Sequence, residues 1–367
     1  MTKNERLKNI TGKRMRAVVE IPVNTTAKHA TCTSRNGIDD TQFTRSSAER
    51  EMGGSVAGMG EGYRRDRAPH SAADQKVADL PVCQAARMEL DLTTLRVDVT
   101  DGVAVVTIDH PPINLLDAAM MVDLVRLEAA ARAEPDDVRV VILRSADPEF
   151  FIAHADLELI RALPRDPQPR PTELGFFHSL LERLRTLPQI TIAEIDGIAR
   201  GGGSELALSL DLRFASDRSV LAQPEVALGI IPGGGGTQRL GRFAGRARAL
   251  EIALGCDDFD AATAAQYGWI NRALAADELR PFVDRLARRI AAFPPAAVRA
   301  AKVAVDAAAP PFLPGLLDEQ AAWDSTMTDP DLDARFDTAV AAGAQTRAGE
   351  LHLDDVIERS RRMIESS

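Results

Sequence analysis

The chain has 367 residues, 45% of them apolar, with a formal net charge of −10 and an isoelectric point near 5.2. That is enough material for one large core with an appendage, or for two smaller domains. The acidic balance argues against nucleic-acid binding as the main function, and Cys32, Cys83 and Cys256 lie too far apart for a disulfide framework or a Cys/His metal site.

The start, MTKNERLKNITGKRMR, lacks the apolar core of a signal peptide. No apolar run anywhere approaches the ~18–20 residues of a membrane span. With the isolated cysteines, this sets a cytoplasmic, reducing location as the expectation, without a membrane partner. Residues 1 to about 87 are polar and glycine-rich, with no sustained period of 2 or 3.6, and are expected to be largely disordered. They hold 15 Lys and Arg against 10 Asp and Glu, about +5, which leaves 29 against 44, about −15, for residues 88–367. A tail without function, a true start at Met88 and a basic interaction arm all fit that segment.

From Met88 onward the pattern is that of a folded domain. LRVDV and VAVVTID flank Asp101-Gly102, a strong hairpin signal. Asp117 is placed to cap an amphipathic helix through about Arg132, and VRVVILRS then reads as a short buried strand. A second helix is expected over about Thr172 to Leu187, a strand at QITIAEID, and further strands at DLRFAS and SVLAQ. Strands alternating with helices indicate an α/β fold. After Gly235 the strand signals stop, and several segments with helical periodicity, among them RARALEIALG and ELRPFVDRLARRIAAF, predict an all-helical remainder. The proline-rich stretch Pro164 to Gly175 is expected to be an exposed excursion that borders a pocket.

The chemistry concentrates in ITIAEIDGIARGGGSELALSLDLRFAS, where a strand runs through glycines into a helix. Amides at a helix start are unpaired and face the positive end of its dipole, so the Gly202 N–H suits an oxygen that becomes negative during reaction. Glu205 lies one turn further, either as a group reaching that site or as a first-turn acid favouring the dipole. Gly201 and Gly203 are not followed by the third glycine of a dinucleotide fingerprint, and no G-K-[ST] follows either glycine run. Leu206 stands where the last glycine of a G-x-S-x-G elbow belongs, which argues against Ser204 as a nucleophile. Pro232 to Gly236 lacks a lysine and enters a helix, so it reads as a tight connector. His110 and His178 show no partner spacing and read as structural.

ARGGGSELALSLDLRFAS followed by LAQPEVALGIIPGGGGTQRLGRFAGRARALEIAL closely resembles the signature region of the enoyl-CoA hydratase/isomerase (crotonase) superfamily. Weaker similarity extends the match over roughly residues 90–308. The resemblance implies a crotonase-like α/β core at 88–235, with repeated β-β-α units forming a spiral, and a helical C-terminal region at 236–367 that forms trimers or hexamers. It puts Glu205 and Glu225 at the two acid/base positions. It also makes Gly202 and Ala155 the amide donors of an oxyanion hole, Ala155 aligning through Phe151-Ile152-Ala153-His154-Ala155-Asp156 with the family's F-x-A-G-A-D. Backbone around Ala153 to Leu157, including His154 and Asp156, is implied to meet coenzyme A, and Gly233 joins these candidate contacts. Asp156 reads more simply as a helix cap.

His154 stands where the family has glycine, and the glycine permits a conformation that turns the next amide toward the ligand. A histidine in that conformation is expected to carry strain. Its side chain is expected either to point to solvent or the nucleotide end of coenzyme A, or to face the site as a proton donor. Two glutamates favour hydration of a 2-enoyl-CoA, because isomerases of this fold manage with one carboxylate. Isomerisation, thioester hydrolysis, carbon–carbon cleavage and a non-catalytic acyl-CoA-binding role are the alternatives. Coenzyme A enters as part of the substrate, and no cofactor or metal is implied.

Overall fold

The computed structural model describes residues 90–366. The expectations for residues 1 to 87 and for Met88 as the start lie outside the described residues. Strands β1 (Leu95–Thr100) and β2 (Val103–Ile108) form the predicted antiparallel hairpin. Asp101 and Gly102 at its turn have φ of 53° and 78°, the left-handed pair that matches strand twist. Helix α1 (Ala118–Ala133) begins at Asp117, whose carboxylate accepts the Met120 N–H.

From here each long strand is followed by a short one and then by helix. The units are β3 (Val140–Ser145) with β4 (Phe150–Ile152), α2 (Leu157–Arg161) and α3 (Phe176–Arg185), then β5 (Ile190–Ile195) with β6 (Ile198–Arg200) and α4 (Gly202–Ser209). In the third, β7 (Leu212–Ser216) and β8 (Val220–Ala222) lead into a 3₁₀ turn (Glu225–Leu228), α5 (Gly236–Phe243) and α6 (Arg246–Gly255). The long strands and a short edge strand, β10 (Arg272–Leu274), join a six-stranded sheet in the order β1-β2-β3-β5-β7-β10, and the other short ones, with β9 (Phe259–Asp260), a second sheet ordered β4-β6-β8-β9. This alternation between two sheets is the repeated β-β-α unit expected of a spiral core.

One expectation is corrected. Strand character continues past Gly235, where β9 (Phe259–Asp260) pairs antiparallel with β8, and β10 (Arg272–Leu274), reached through α7 (Ala261–Tyr267), pairs parallel with β7. Runs of two and three residues are too short to show a period of 2, and only the sheet edges they meet make them strands. The rest is helical: α8 (Ala276–Ala291), α9 (Pro295–Asp306), α10 (Leu313–Thr326), α11 (Leu332–Ala342), α12 (Arg347–Glu350) and α13 (Leu353–Glu365).

The large sheet is covered on both faces, which explains why its central strands read as apolar runs. On one side Leu124, Leu127, Leu181 and Leu206 pack with Val141 and Leu143. Leu279, Val283 and Ala287 of α8 pack with Val140, Ile142, Ile192 and Phe214 on the other. The small sheet is the part that matters for chemistry. Strands β4, β6 and β8 run parallel, with Ile152 beside Ala199 and Ala199 beside Leu221, so the chain leaves all three at one edge.

Candidate active site

That edge brings together the segments the sequence singled out. Chain leaving β4 carries His154 and Ala155, chain leaving β6 carries Gly201 and Gly202, and chain leaving β8 carries Gln223 and Glu225. Leu116 bridges to the first of these, its N–H donating to His154 O at 2.9 Å and its carbonyl accepting from Asp156 N at 3.1 Å. Ala155 and Gly202 lie against one another, for a methyl group built on Gly202 would come within 3.2 Å of the Ala155 Cβ and 3.5 Å of its nitrogen. Among the described residues neither the Ala155 nor the Gly202 N–H has a hydrogen-bond acceptor in the protein. Buried amides are nearly always paired, so the free N–H of buried Gly202, with that of half-buried Ala155 beside it, marks a place suited to an acceptor from outside.

Two of the glycines are demanded by contacts. Gly201 has φ of 47°, and a Cβ there would stand 2.8 Å from a Glu225 carboxyl oxygen. At Gly203 a Cβ would sit 2.6 Å from the Ile152 carbonyl oxygen, so α4 can approach β4 only without a side chain.

Glu205 is buried in α4, and one of its oxygens accepts the N–H groups of Gly234 and Gly236 at 2.7 and 2.8 Å. The alternate amides of the same run turn the other way, Gly235 and Thr237 donating to Glu319 of α10 at 2.5 and 3.0 Å. His178, on α3, donates to Glu319 at 2.9 Å. The glycine connector is therefore clamped between two carboxylates. Burial, followed by the charge of Glu319, pushes the Glu205 pKa up to about 7, against the pull of the two amides and of His178.

Glu225 is half-buried, with its carboxyl turned in toward Gly201. Burial first, then the charge of Glu205, holds its pKa well above the ordinary carboxylate range. Gln223, with its amide nitrogen facing Glu225, donates to both carboxyl oxygens at 3.1 Å and accepts from Ser204 Oγ at 3.3 Å. Ser204 is fully buried and also accepts the Trp269 indole N–H at 3.1 Å, which agrees with its rejection as a nucleophile. The two glutamates are thus near enough to perturb one another. Glu225 shares the chamber wall with Ala155 and Gly202, and Glu205 lies one turn into the helix that Gly202 begins, an arrangement suited to moving protons at one carbon while stabilising charge on a neighbouring oxygen.

The other singled-out residues have other surroundings. Ala153 is buried among Ile113, Phe150 and Ile198, and Leu157 among Ala339, Ala342 and Val356. Asp156 caps α2, accepting from Glu158 N at 3.0 Å, as the simpler reading had it. Gly233 packs against the Trp323 indole. His110 contacts Asp117 at 3.0 Å, a helix-cap neighbour seven residues on.

Both the solvent-facing reading of His154 and its expected strain are corrected. Its backbone lies outside the left-handed region, and its largely buried ring contacts the Ala155 carbonyl at 2.7 Å and Glu350 at 3.1 Å. The excursion from Pro164 to Gly175 binds the C-terminal helices instead of bordering the chamber, through Arg165 to Asp333 and Gly175 N to Gln320. An apolar chamber opens beside Ala155, Gly202 and Glu225, walled by Leu157, Ile160, Leu228, Ala339 and Val356. Sequence reasoning missed Glu319, Glu350 and Gln223. Gln223 alone left a trace, as the first residue of the Q-P-E pattern.

Among the described residues no cluster of three His, Cys, Asp or Glu side chains suits a metal ion, and no helix is long and apolar enough to cross a membrane. The family model for enoyl-CoA hydratase/isomerase matches residues 98–330. A short-chain-enoyl-CoA hydratase of Clostridium acetobutylicum is 32% identical over 218 residues, 59% of this chain and 82% of that one. The crotonyl-CoA hydratase of Syntrophomonas wolfei is 32% identical over 208 residues, covering 56% and 78%. A crystal structure from Streptomyces avermitilis, named for the same family, is 43% identical with a TM-score of 0.69, covering 74% of this chain and 99% of that one. The chain belongs to the enoyl-CoA hydratase/isomerase family.

Proposed function

We propose that this protein is an enoyl-CoA hydratase that adds water across the double bond of a 2-enoyl-CoA. The observation that carries the reading is a pair of unpaired amides on chain segments that also carry two perturbed carboxyl groups, one of them raised by the charge of the other. The thioester oxygen accepts from the N–H groups of Ala155 and Gly202, which strengthen their hold as an enolate forms. Glu205 and Glu225 hold one water between them. Glu205, its charge supported by Gly234 and Gly236, takes a proton from this water as the oxygen bonds to the β-carbon. Glu225, its pKa raised well above the ordinary carboxylate range by burial and the charge of Glu205, gives its proton to the α-carbon as the enolate collapses. The proton left on Glu205 passes back to Glu225 and closes the cycle.

The apolar chamber takes the acyl chain, and the backbone from Ala153 to Leu157 meets coenzyme A, which arrives as part of the substrate. Exposed apolar side chains after Gly235, including Leu254, Val303 and Val305 at 64%, 68% and 73% exposure, support assembly into a trimer or hexamer. Cytoplasmic placement completes the proposal. Crotonyl-CoA, named for one relative, is the substrate to try first. Glu205→Gln and Glu225→Gln are each expected to slow its hydration by about 10²–10⁴-fold, followed as loss of the conjugated absorbance. Near-full activity in either variant rejects the role of that residue.

A further inference from the structure

His154, where the family pattern has glycine, is tied into a buried network that reaches the far end of the chain. Its Nδ1 faces the Ala155 carbonyl at 2.7 Å and its Nε2 faces a Glu350 carboxyl oxygen at 3.1 Å. Both partners are acceptors, so both contacts are hydrogen bonds only when both ring nitrogens carry protons. The cationic imidazolium is therefore the form that fits this site.

Glu350 is itself held in place. The same oxygen accepts from Gln345 N at 2.8 Å, and the other lies 3.6 Å from the fully buried Arg200 guanidinium. Arg200 forks onto Asp258 with two bonds of 2.6 Å and donates to the Glu350 carbonyl, also at 2.6 Å. A second link between the same two segments runs from Gln345 Nε2 to Asp156 at 2.9 Å.

We propose that His154 and Glu350 form a charged clamp that fastens the Ala155 segment to the C-terminal region, and that both are positioning residues for the oxyanion site. The consequence for catalysis rests on the hydratase reading. The Leu116 bridge fixes the peptide that carries the Ala155 N–H, and the clamp fixes the next peptide, so the donor is held from both sides.

The charged and titratable groups facing the ring are Glu350 from α12, Arg200 from β6 with Asp258 behind it, and the neutral Glu225 carboxyl across Gly201. Asp354 of α13 stands near Arg200 and Asp258. Burial disfavours the ring's charge, but the charge and hydrogen bond of Glu350, with the Ala155 carbonyl, outweigh burial and Arg200 and raise its pKa. Burial likewise opposes ionisation of Glu350, and His154, the Gln345 amide and Arg200 overcome it. A histidine with a raised pKa keeps its charge below the ordinary value and loses it as pH rises through the raised one. The clamp is thus closed at the ordinary imidazole value and opens as pH rises through the raised one.

The His154 ring can be followed by NMR from about pH 5 to pH 10, its signal assigned by its disappearance in His154→Gln. In the parent it should titrate above about 6.5, and Glu350→Gln should bring it to or below that value. In crotonyl-CoA hydration, Glu350→Gln should lower kcat by about tenfold or more with less than about threefold change in KM, and move the alkaline loss of kcat to lower pH. A parent ring titrating at or below about 6.5 overturns the clamp. So does a Glu350→Gln variant that leaves both the titration and kcat unchanged. Should the variant not fold, the parent titration decides. A parent without hydratase activity would defeat the hydratase reading alone, because the ring titration and its response to Glu350 are read without turnover.

Discussion

The groups proposed to react and the groups that hold them come from different parts of the chain. Ala155, Gly202, Glu205 and Glu225 lie where neighbouring short strands of one small sheet end, and backbone geometry delivers them with little help from side chains. Glu319 and Glu350 come from helices α10 and α12, reaching Gly235 and His154 across 84 and 196 positions of sequence. A parallel strand edge can present a reacting set, but loops leaving such an edge keep freedom that only distant partners remove. The helical region therefore acts as the brace of the site as well as the wall of its chamber.

The comparison breaks first if the strand-edge half tolerates a small added group. Gly203→Ala forces a methyl to within 2.6 Å of the Ile152 carbonyl oxygen and 2.7 Å of its side chain, where backbone has to move. We expect a loss of about 1–3 kcal/mol of stability, read by chemical denaturation, from overpacking. Because the same shift separates Gly202 from Ala155, crotonyl-CoA hydration should fall about 10²-fold or more. Gly241→Ala in α5 is the control. Nothing lies within 4 Å of its added methyl, and it should be neutral or slightly stabilising. Similar behaviour of the two variants would mean that close approach of α4 to β4 is not what aligns the amides.

The bracing half is tested at Glu319. Glu319→Gln leaves an amide among donors from Gly235, Thr237 and His178, and should cost about 2–3 kcal/mol through lost charge-assisted bonds. Its second effect is the sharper one. The charge of Glu319 helps hold the Glu205 pKa at about 7, so its removal should let that value fall. A base must be ionised to act, hence the acid limb of kcat/KM, expected near pH 7 in the parent, should move to lower pH in the variant. An unmoved limb would mean that Glu319 supports the glycine connector without tuning Glu205.

This division also explains what could be read without coordinates. The Asp101-Gly102 hairpin, the Asp117 cap and the alternation of strand and helix are local, governed by residues within a turn or two of one another. The Gly202 amide and Glu205 were legible for the same reason, since helix-start chemistry is written in four consecutive residues. Glu225 became a candidate only through resemblance, because nothing in Q-P-E marks an acid that will face Gly201. His178 looked structural for want of a partner nearby, while its partner Glu319 stands 141 positions away. His154 was misjudged on both counts: an exposed loop residue was the reasonable expectation until Glu350 supplied a buried counter-charge. Strands β9 and β10 escaped notice for a related reason, as their conformation is imposed by sheet edges that the other strands create.

The smallest effect is the one that most directly separates chemistry from stability. Glu225 is held neutral in the folded protein well above its ordinary carboxylate range by burial and by Glu205. Between those two values the unfolded chain has released the proton while the native chain keeps it, so the native state binds more protons and stability falls as pH rises through that window. The cost grows by at most about 1.4 kcal/mol per pH unit for one group. Glu225→Gln puts a neutral amide where a neutral acid stood and removes this cost. The variant should match the parent near pH 4.5, be the more stable of the two at pH 7, and have lost nearly all hydration activity. Denaturation midpoints at the two pH values decide the matter. A difference that stays flat with pH, or a variant weaker than the parent at pH 7, would show that Glu225 is already ionised in the folded protein, and the assignment of acid and base between the two glutamates would have to be exchanged.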